Sequence, residues 1–146
     1  MFEVNKSNPA VTSISMNADT AHIGPLIELV QDFASSALSD EDAYNMTVAV
    51  DEAVTNIITH AYKNDPTGKI TVSFGAKKDE VYVTIEDFSK NFIPPLLVEK
   101  KKFSFDKLEE GGLGLYLMQE FMDELRFLYD NRENKNILIM KKYLIN

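Results

Sequence analysis

The sequence predicts an α+β fold, a two-layer α/β sandwich in which three helices lie on one face of a mainly antiparallel sheet. Short segments that alternate apolar and polar residues indicate strands, and segments with apolar residues three and four positions apart indicate helices. These segments follow the order strand, two helices, two strands, irregular loop, helix and two strands. That order is typical of a single sheet covered by helices on one side.

Length and composition indicate one globular domain spanning residues 1–146. The absence of cysteine excludes disulfides, thiolate metal sites and a cysteine nucleophile. No apolar run approaches the roughly 20 residues that cross a bilayer, and the opening "MFEVNKSNPA" lacks the apolar region of a signal peptide. We therefore expect a cytoplasmic protein without a membrane partner.

The formal net charge of −8 argues against direct binding of nucleic acid, because phosphate backbones are bound by basic surfaces. The same charge leaves two kinds of partner open. A small anionic ligand can be neutralised locally by a helix N-terminus, a lysine or Mg²⁺, and a basic protein can be attracted by the acidic surface.

The first strand is predicted at "AVTSISM", residues 10–16, as an edge strand. A helix follows, and its start has two interpretations. Asp19 or Thr20 can cap it, or it can begin at Gly24-Pro25, since proline is welcome at the first helical position.

The second helix is predicted to begin at "SDED", where Ser39 can cap it and the acids suit the helix dipole. It extends to Ala61, and the turn residues of "KNDPTG" end it. Two strands come next, "KITVSFGA" and "EVYVTIED", joined by a tight "KKD" connection. Their inward faces are expected to carry Ile70, Val72, Phe74, Val81, Val83 and Ile85.

Residues 88–111 contain two prolines and a lysine triplet without clean periodicity, which indicates a functional loop. The next segment, "GLGLYLMQEFMDEL", predicts a helix over residues 112–125. "RFLYD" and "NILIMKKYLI" then predict a closing hairpin over "NRENK". The buried residues of the helix should be Leu117, Met118, Phe121, Met122 and Leu125.

Glu52, Asn56 and His60 recur every four residues beside the apolar stripe of the second helix. Positions four apart drift by only about 40° on a helix, so the three form one ridge at the flank of the core. A carboxylate and an amide there suit proton transfer and a hard cation. A solvated helix flank is the alternative. Asp51 turns roughly 100° away and is the weaker candidate for a base.

Asp87 continues the inward parity of its strand, so its carboxylate should point toward the helices. Burying an unpaired carboxylate is costly, so the side chain should hydrogen-bond a partner such as a ligand amino group. The alternative is an acid that caps the following loop. Further on, "EGGLGLYLM" places glycines where a loop enters a helix, and backbone N–H groups there can hold phosphates. Such glycines also occur in plain connectors.

Together, these segments resemble the GHKL (Bergerat-fold) ATPases, and among them the small anti-sigma-factor serine kinases of bacterial partner-switching systems. "DEAVTNIITHAY" is similar to the N-box of that family, "EDFSKNF" to its first glycine box and "EGGLGLYLMQEFMDEL" to its second. The resemblance covers nearly the whole chain, including the ending "NILIMKKYL". It implies the Bergerat fold and a nucleotide site.

The resemblance also implies a role for each matching residue. Glu52 would be the general base, Asn56 would hold Mg²⁺, and Asp87 would recognise adenine. Residues 93–111 would form the ATP lid. The remaining nucleotide-binding positions implied by the two glycine boxes are Ser89, Phe92, Gly111, Gly112, Leu113, Gly114 and Leu115.

Ser89 and Asn91 stand where the family usually has glycine. Glycine allows a close approach of the backbone to adenine, so this departure bears on ATP affinity. The resemblance implies an ATP- and Mg²⁺-dependent serine kinase that phosphorylates an anti-anti-sigma protein of the STAS type, sequesters a sigma factor and forms a homodimer. The alternative is a nucleotide-binding or degenerate partner-binding module without phosphotransfer, which the altered glycine box favours.

Overall fold

The computed structural model describes residues 1–90 and 118–144. Within these ranges the chain forms a sheet in the order β1-β2-β3-β4-β6-β5, and each pair of neighbouring strands is antiparallel. The predicted α+β class with an antiparallel sheet is confirmed. The strands are β1 (Phe2–Asn8), β2 (Val11–Asn17), β3 (Lys69–Ala76), β4 (Glu80–Asp87), β5 (Glu124–Asp130) and β6 (Lys135–Tyr143).

Two α-helices, α1 (Ile23–Ala37) and α2 (Asp40–Asn56), pack against each other and against the sheet. A single 3₁₀ turn, Thr20–His22, precedes α1, and a π-helical turn, Ile57–Ala61, follows α2. One continuous apolar core joins these helices to the inward faces of the strands. Within the described ranges, no helix combines the length and the hydrophobicity needed to cross a bilayer.

The alternating pattern of β3 and β4 predicted their inward faces correctly. All six predicted inward apolar residues are buried, and the residues between them on β4 are partly exposed. The turn between the strands is closed by the N–H group of Lys77, which donates to the carbonyl of Glu80 at 2.8 Å. Asp87 continues the inward face of β4, as its parity predicted.

The opening segment departs from the prediction, because β1 pairs with β2 and takes the edge position. The expectation that the strand at residues 10–16 is an edge strand is therefore wrong. Every residue of β1 after Phe2 is exposed, and Phe2 and Val4 are the apolar residues of "FEVNKSN", too short an alternation to predict a strand. Main-chain pairing with β2, such as Val4 opposite Ile14, holds β1 in place.

The third helix also ends earlier than predicted. Residues 118–121 are helical and β5 begins at Glu124, so Leu125 lies on a strand opposite Met140. At this change of direction the side chain of Asp123 accepts a hydrogen bond from the N–H group of Tyr143 at 2.7 Å. Met118 and Met122 are buried and Phe121 is half-buried against the core, whereas Leu117 lies outside the described residues.

Local capping fixes the start of the 3₁₀ turn before α1 and the start of α2. The carboxylate of Asp19 accepts the N–H of Ala21 at 2.9 Å, which caps the 3₁₀ turn. Helix α1 begins just before Gly24-Pro25, so Pro25 occupies the first turn, where a missing N–H group leaves no hydrogen bond unmade. Ser39 caps α2 by accepting the N–H of Asp42 at 3.2 Å, as predicted.

Tyr62 connects the end of the helical segment to the sheet. Its N–H group donates to the carbonyl of Ile57 at 2.9 Å, which completes the π turn. Its hydroxyl donates to the carbonyl of Lys69 at 2.7 Å and accepts the N–H of Phe88 at 2.8 Å. One phenol therefore joins the helix end to the first residue of β3 and to the residue that follows β4.

Replacing Gly68 by alanine should destabilise the fold, because a Cβ atom there would lie 2.6 Å from ring carbons of Tyr62. The hydroxyl bonds of Tyr62 prevent the ring from moving aside. We expect the free energy of unfolding in urea to fall by about 1–3 kcal/mol, the usual cost of overpacking. Gly24→Ala is the matched control, since its Cβ would meet no atom within 4 Å. Equal stabilities of the two variants would contradict the close packing of Gly68 on Tyr62.

Tyr62→Phe should lower the free energy of unfolding by about 1–3 kcal/mol at pH 7, because the N–H of Phe88 and the carbonyl of Lys69 both lose their partner. Burial raises the pKa of Tyr62 above its ordinary value of 10.0. The stabilisation by the hydroxyl is thus complete below pH 10 and is lost as the pH rises through the raised pKa.

Urea denaturation of the parent and Tyr62→Phe between pH 7 and pH 11 checks both points. The stability difference between the two proteins should be constant up to about pH 10 and then shrink. Tyr44→Phe serves as the control, because Tyr44 is 66% exposed. A difference that grew above pH 10 would contradict the direction of the pKa shift.

Candidate functional site

The outer edge of α2 carries Glu52 and Asn56, both half-buried beside the buried Ala53 and Val54. Neither polar side chain forms a hydrogen bond or an ion pair with another residue in the described part of the chain. Side chains of this kind form most of their hydrogen bonds with backbone groups or water, and here no described backbone group is used. A carboxylate and an amide one helical turn apart are thus both available to a ligand.

The neighbouring row of α2 is occupied differently. Asp51 is exposed, and its carboxylate accepts the hydroxyl of Thr55 at 3.2 Å. Thr59 in turn donates its hydroxyl to the carbonyl of Thr55 at 2.8 Å. His60 is exposed in the π turn, so the half-buried part of the predicted ridge consists of Glu52 and Asn56. Glu52 is half-buried and has no partner among the described residues, whereas Asp51 is exposed and bonded to Thr55. Both differences favour Glu52 over Asp51 as an acid that could act on a ligand.

Asp87 lies at the end of β4 and is only 2% exposed. Its Oδ1 atom accepts the N–H of Ser89 at 2.9 Å, the hydroxyl of Ser89 at 2.7 Å and the Nδ2 group of Asn136 at 3.0 Å. No described residue donates a hydrogen bond to Oδ2. Within the described ranges the carboxylate is thus fixed through one oxygen, and the other oxygen has no donor there.

Ser89, which replaces an expected glycine, is 8% exposed and contacts Asp87 directly. Its carbonyl accepts the Nδ2 group of Asn136 at 2.9 Å. The amide of Asn136 therefore uses its two hydrogens on the carboxylate of Asp87 and the backbone of Ser89. The hydroxyl at position 89 belongs to the local hydrogen-bond network and stabilises the buried charge.

The sequence-based prediction missed Asn136. This residue pairs with Asp87 across the strands β4 and β6. A usable signal was present in the sequence, because Asn136 has the same parity as Leu138 and Met140, which are buried. A polar residue at an inward position of β6 indicates a buried polar contact, as Asp87 does on β4. Applying the parity rule to both strands would have identified the pair.

An open pocket of about 310 Å³ adjoins the end of β4. The aromatic rings of Tyr62 and Phe88 lie in its wall, and Phe88 directly follows Asp87 in the chain. Polar groups complete the lining. One of them is the carboxylate of Asp65, and hydrogen bonds from the backbone and side chain of Thr67 lower its pKa. The lining residues are Tyr62, Asp65, Thr67, Gly68, Lys69 and Phe88.

The predicted site residues fall into three groups in the structure. Glu52 and Asn56 share one edge of α2, and Asp87 and Ser89 form a hydrogen-bonded cluster with Asn136. Tyr62 links the two elements, because its hydroxyl contacts the residue next to Asp87. The third group lies outside the described residues and consists of the lid at 93–111 with Phe92, Gly111, Gly112, Leu113, Gly114 and Leu115.

Comparison with known proteins identifies relatives of this chain. Residues 16–142 match the family described as the histidine kinase-like ATPase domain. The serine-protein kinase RsbW of Bacillus licheniformis is 39% identical over 101 residues, which are 64% of this chain and 61% of that protein. The protein of the same name from Bacillus subtilis (strain 168) is 32% identical over 128 residues, 83% of this chain and 79% of that relative.

The match to the B. licheniformis protein thus spans less than two thirds of its length, whereas the match to the B. subtilis protein spans more. A third serine-protein kinase RsbW, from Oceanobacillus iheyensis, is 32% identical over 111 residues, covering 73% of this chain and 68% of that protein. Membership of a kinase-like ATPase family implies ATP binding. The chain belongs to the histidine kinase-like ATPase (GHKL) family and is a relative of the serine-protein kinases named RsbW.

Proposed function

We propose that this protein is an ATP-dependent serine kinase of the anti-sigma-factor type. It would phosphorylate an anti-anti-sigma protein of the STAS type and sequester a sigma factor. The observation that carries the proposal is the pair Glu52 and Asn56, a carboxylate and an amide on one helix edge that have no partner among residues 1–90 and 118–144. The names of the relatives support the same class of reaction, because they are serine-protein kinases.

Asp87 would recognise the adenine ring of ATP. Its Oδ2 atom accepts no hydrogen bond from the described residues, and it belongs to a buried carboxylate held rigidly through Oδ1. The 6-amino group of adenine is a donor that such an acceptor would bind. A buried acceptor discriminates strongly against a base that lacks the donor, because it would then remain unpaired.

Asn56 would hold the Mg²⁺ ion that accompanies ATP. Its amide oxygen fits the preference of this ion, which is bound by one or two protein oxygens together with substrate phosphates and water. The half-buried side chain has no competing partner among the described residues. When bound, the ion would neutralise phosphate charge close to the carboxylate of Glu52.

Glu52 would act as the general base. Its carboxylate would accept the proton of the partner's serine hydroxyl while the serine oxygen attacks the γ-phosphorus of ATP. The bond between that phosphorus and the bridging oxygen breaks, and ADP leaves with the electron pair. The products are phosphoserine, ADP and a protonated Glu52, which returns the proton to water.

The remaining parts of the proposal come from the family resemblance. Gly112 and Gly114 with the neighbouring backbone would contact the phosphates, and residues 93–111 would close over ATP as a lid. A closed lid would exclude water, which competes with serine for the γ-phosphoryl group. A homodimer in the cytoplasm is the proposed working form.

Glu52→Gln should abolish phosphotransfer while preserving nucleotide binding. We expect the rate of phosphate transfer from ATP to the anti-anti-sigma protein to fall by about 10²- to 10⁴-fold, the usual contribution of a positioned base. ATP affinity, measured by isothermal titration, should remain near that of the parent. Asp51→Asn is the matched control, because Asp51 is exposed on the adjacent row. Transfer at the parent rate by Glu52→Gln would remove Glu52 from the mechanism.

Asn56→Ala should remove the contribution of Mg²⁺ to ATP binding, because the proposed protein ligand of the ion is lost. Isothermal titration of ATP with and without Mg²⁺ measures that contribution directly. The parent should bind ATP more tightly with the ion, and the variant should bind it equally under both conditions. His60→Ala is the control, since His60 is exposed on the next turn. A full Mg²⁺ effect in Asn56→Ala would contradict the assignment.

The same measurements separate the kinase from the alternative, a partner-binding module without phosphotransfer. ATP binding without transfer to any anti-anti-sigma protein would indicate a nucleotide-binding module. Absence of ATP and ADP binding would indicate a degenerate module. The position of Ser89 favours an intact nucleotide site, because its hydroxyl supports Asp87.

A further inference from the structure

A closed hydrogen-bond network surrounds one oxygen of Asp87. Ser89 contributes a backbone N–H and a hydroxyl to Oδ1, and Asn136 contributes its side-chain amide. Asn136 also donates to the carbonyl of Ser89 at 2.9 Å and lies 3.4 Å from its hydroxyl oxygen. Each of the three residues therefore contacts the other two, and both Asp87 and Ser89 are buried.

We propose that Ser89 and Asn136 are positioning residues that set the base specificity of this site through Asp87. The inference rests on the proposed function, in which Asp87 accepts a hydrogen bond from the base of ATP. All three described donors converge on Oδ1, so Oδ2 is the acceptor presented to the nucleotide. A glycine at position 89 would supply the N–H donor and omit the hydroxyl.

Rotation of the carboxylate explains why such a pair is needed. The terminal torsion of an aspartate is broad, so an unsupported carboxylate can turn to intermediate angles at which neither oxygen points at the 6-amino group. Turning Asp87 would break the bonds from Ser89 at 2.7 Å and from Asn136 at 3.0 Å. Asn136 is itself held on β6 by main-chain pairing opposite Asp87, and sites built on strands are more rigid than sites on loops.

Base selection follows from this fixed orientation. A 6-amino purine donates a hydrogen to the free oxygen, whereas a 6-oxo purine brings a carbonyl oxygen against a carboxylate. Repulsion between two acceptors disfavours the second base. A purine without any 6-substituent leaves the acceptor unpaired. The positioning pair should therefore affect ATP binding only through the 6-amino group.

A thermodynamic cycle tests this coupling. Ser89→Ala and Asn136→Ala are each titrated with ATP and with purine riboside triphosphate, which lacks the 6-amino group. Each variant should bind ATP about tenfold more weakly than the parent, the fold change that corresponds to one hydrogen bond to a charged group. Binding of purine riboside triphosphate should be unchanged, so the preference for ATP should fall by the same factor.

Ser73→Ala is the matched control, because it removes a hydroxyl that is 2.9 Å from the hydroxyl of Ser13, away from Asp87. It should leave both affinities unchanged. Melting temperatures without nucleotide are recorded for every variant. Ser89→Gly is a further test, since it keeps the N–H donor and removes only the hydroxyl and its carbon. It should lower the preference for ATP as Ser89→Ala does.

Equal losses for the two nucleotides would overturn the inference and assign the pair a purely structural role. Unfolding of both alanine variants would have the same meaning. If only one alanine variant unfolds, the folded variant alone suffices for the comparison of the two nucleotides, because Ser89 and Asn136 donate to the same oxygen of Asp87. Failure of the parent to bind ATP would refute the proposed function itself. This result is distinguishable from failure of the inference, because it is measured on the parent protein before any substitution is made.

Discussion

The burial of the Asp87 carboxylate is the constraint around which this end of the molecule is organised. β4 is an interior strand, so neighbouring strands flank Asp87 on both sides. On β3 its partner is Ile70, whose side chain can donate no hydrogen bond. Among the described residues the donors come from β6 and from the chain that follows β4, where Asn136 and Ser89 supply them. A buried carboxylate without such donors would cost several kcal/mol.

The same constraint bears on the proposed role of the strand end in binding the base of ATP. Donors gathered on one oxygen of Asp87 stabilise the charge, and no donor from the described part of the chain reaches the other oxygen. Tyr62 fixes the position of this strand end, because its hydroxyl holds the N–H of Phe88 and the carbonyl of Lys69. The π turn after α2 places Tyr62 to make both bonds. The strand end and the edge of α2 are therefore parts of one connected framework.

Much of this organisation follows from residue periodicity. Alternation along β4 predicted that Asp87 points inward, and helical spacing predicted the apolar stripe beside Glu52 and Asn56. These features depend on local pattern and on burial, which the sequence expresses directly. The capping of α2 by Ser39 is equally local and was predicted as well.

Features that depend on distant contacts were not predictable in this way. β1 is exposed after Phe2 and is held by its main-chain pairing with β2. The third helix ends where Asp123 finds the N–H of Tyr143, 20 residues further along the chain. The π turn could not be predicted from the spacing of apolar residues, because Ile57, Ile58 and Ala61 fit an α-helix equally well. Each of these outcomes was decided by tertiary structure.

Ser89 shows how a departure from a family pattern acquires meaning from its surroundings. Read alone, a serine in place of glycine indicates lost backbone freedom and a weaker nucleotide site. In the structure the hydroxyl is buried and donates to Asp87 at 2.7 Å, with Asn136 contacting the same carboxylate. A hydrogen bond from a buried hydroxyl to a charged group stabilises the protein more than a hydrogen bond between neutral groups does.

The two polar groups of the site therefore differ in how the protein prepares them. The strand end is built around Asp87, whose protein donors are already in place before any ligand arrives. The helix edge is the opposite case, because Glu52 and Asn56 are half-buried without partners in the described part of the chain. An acceptor held in one orientation suits selective binding of a rigid base. Groups without a described protein partner suit the reversible binding of a metal ion and of a proton. Under the proposed function, this division would place base recognition on β4 and β6 and phosphotransfer on α2.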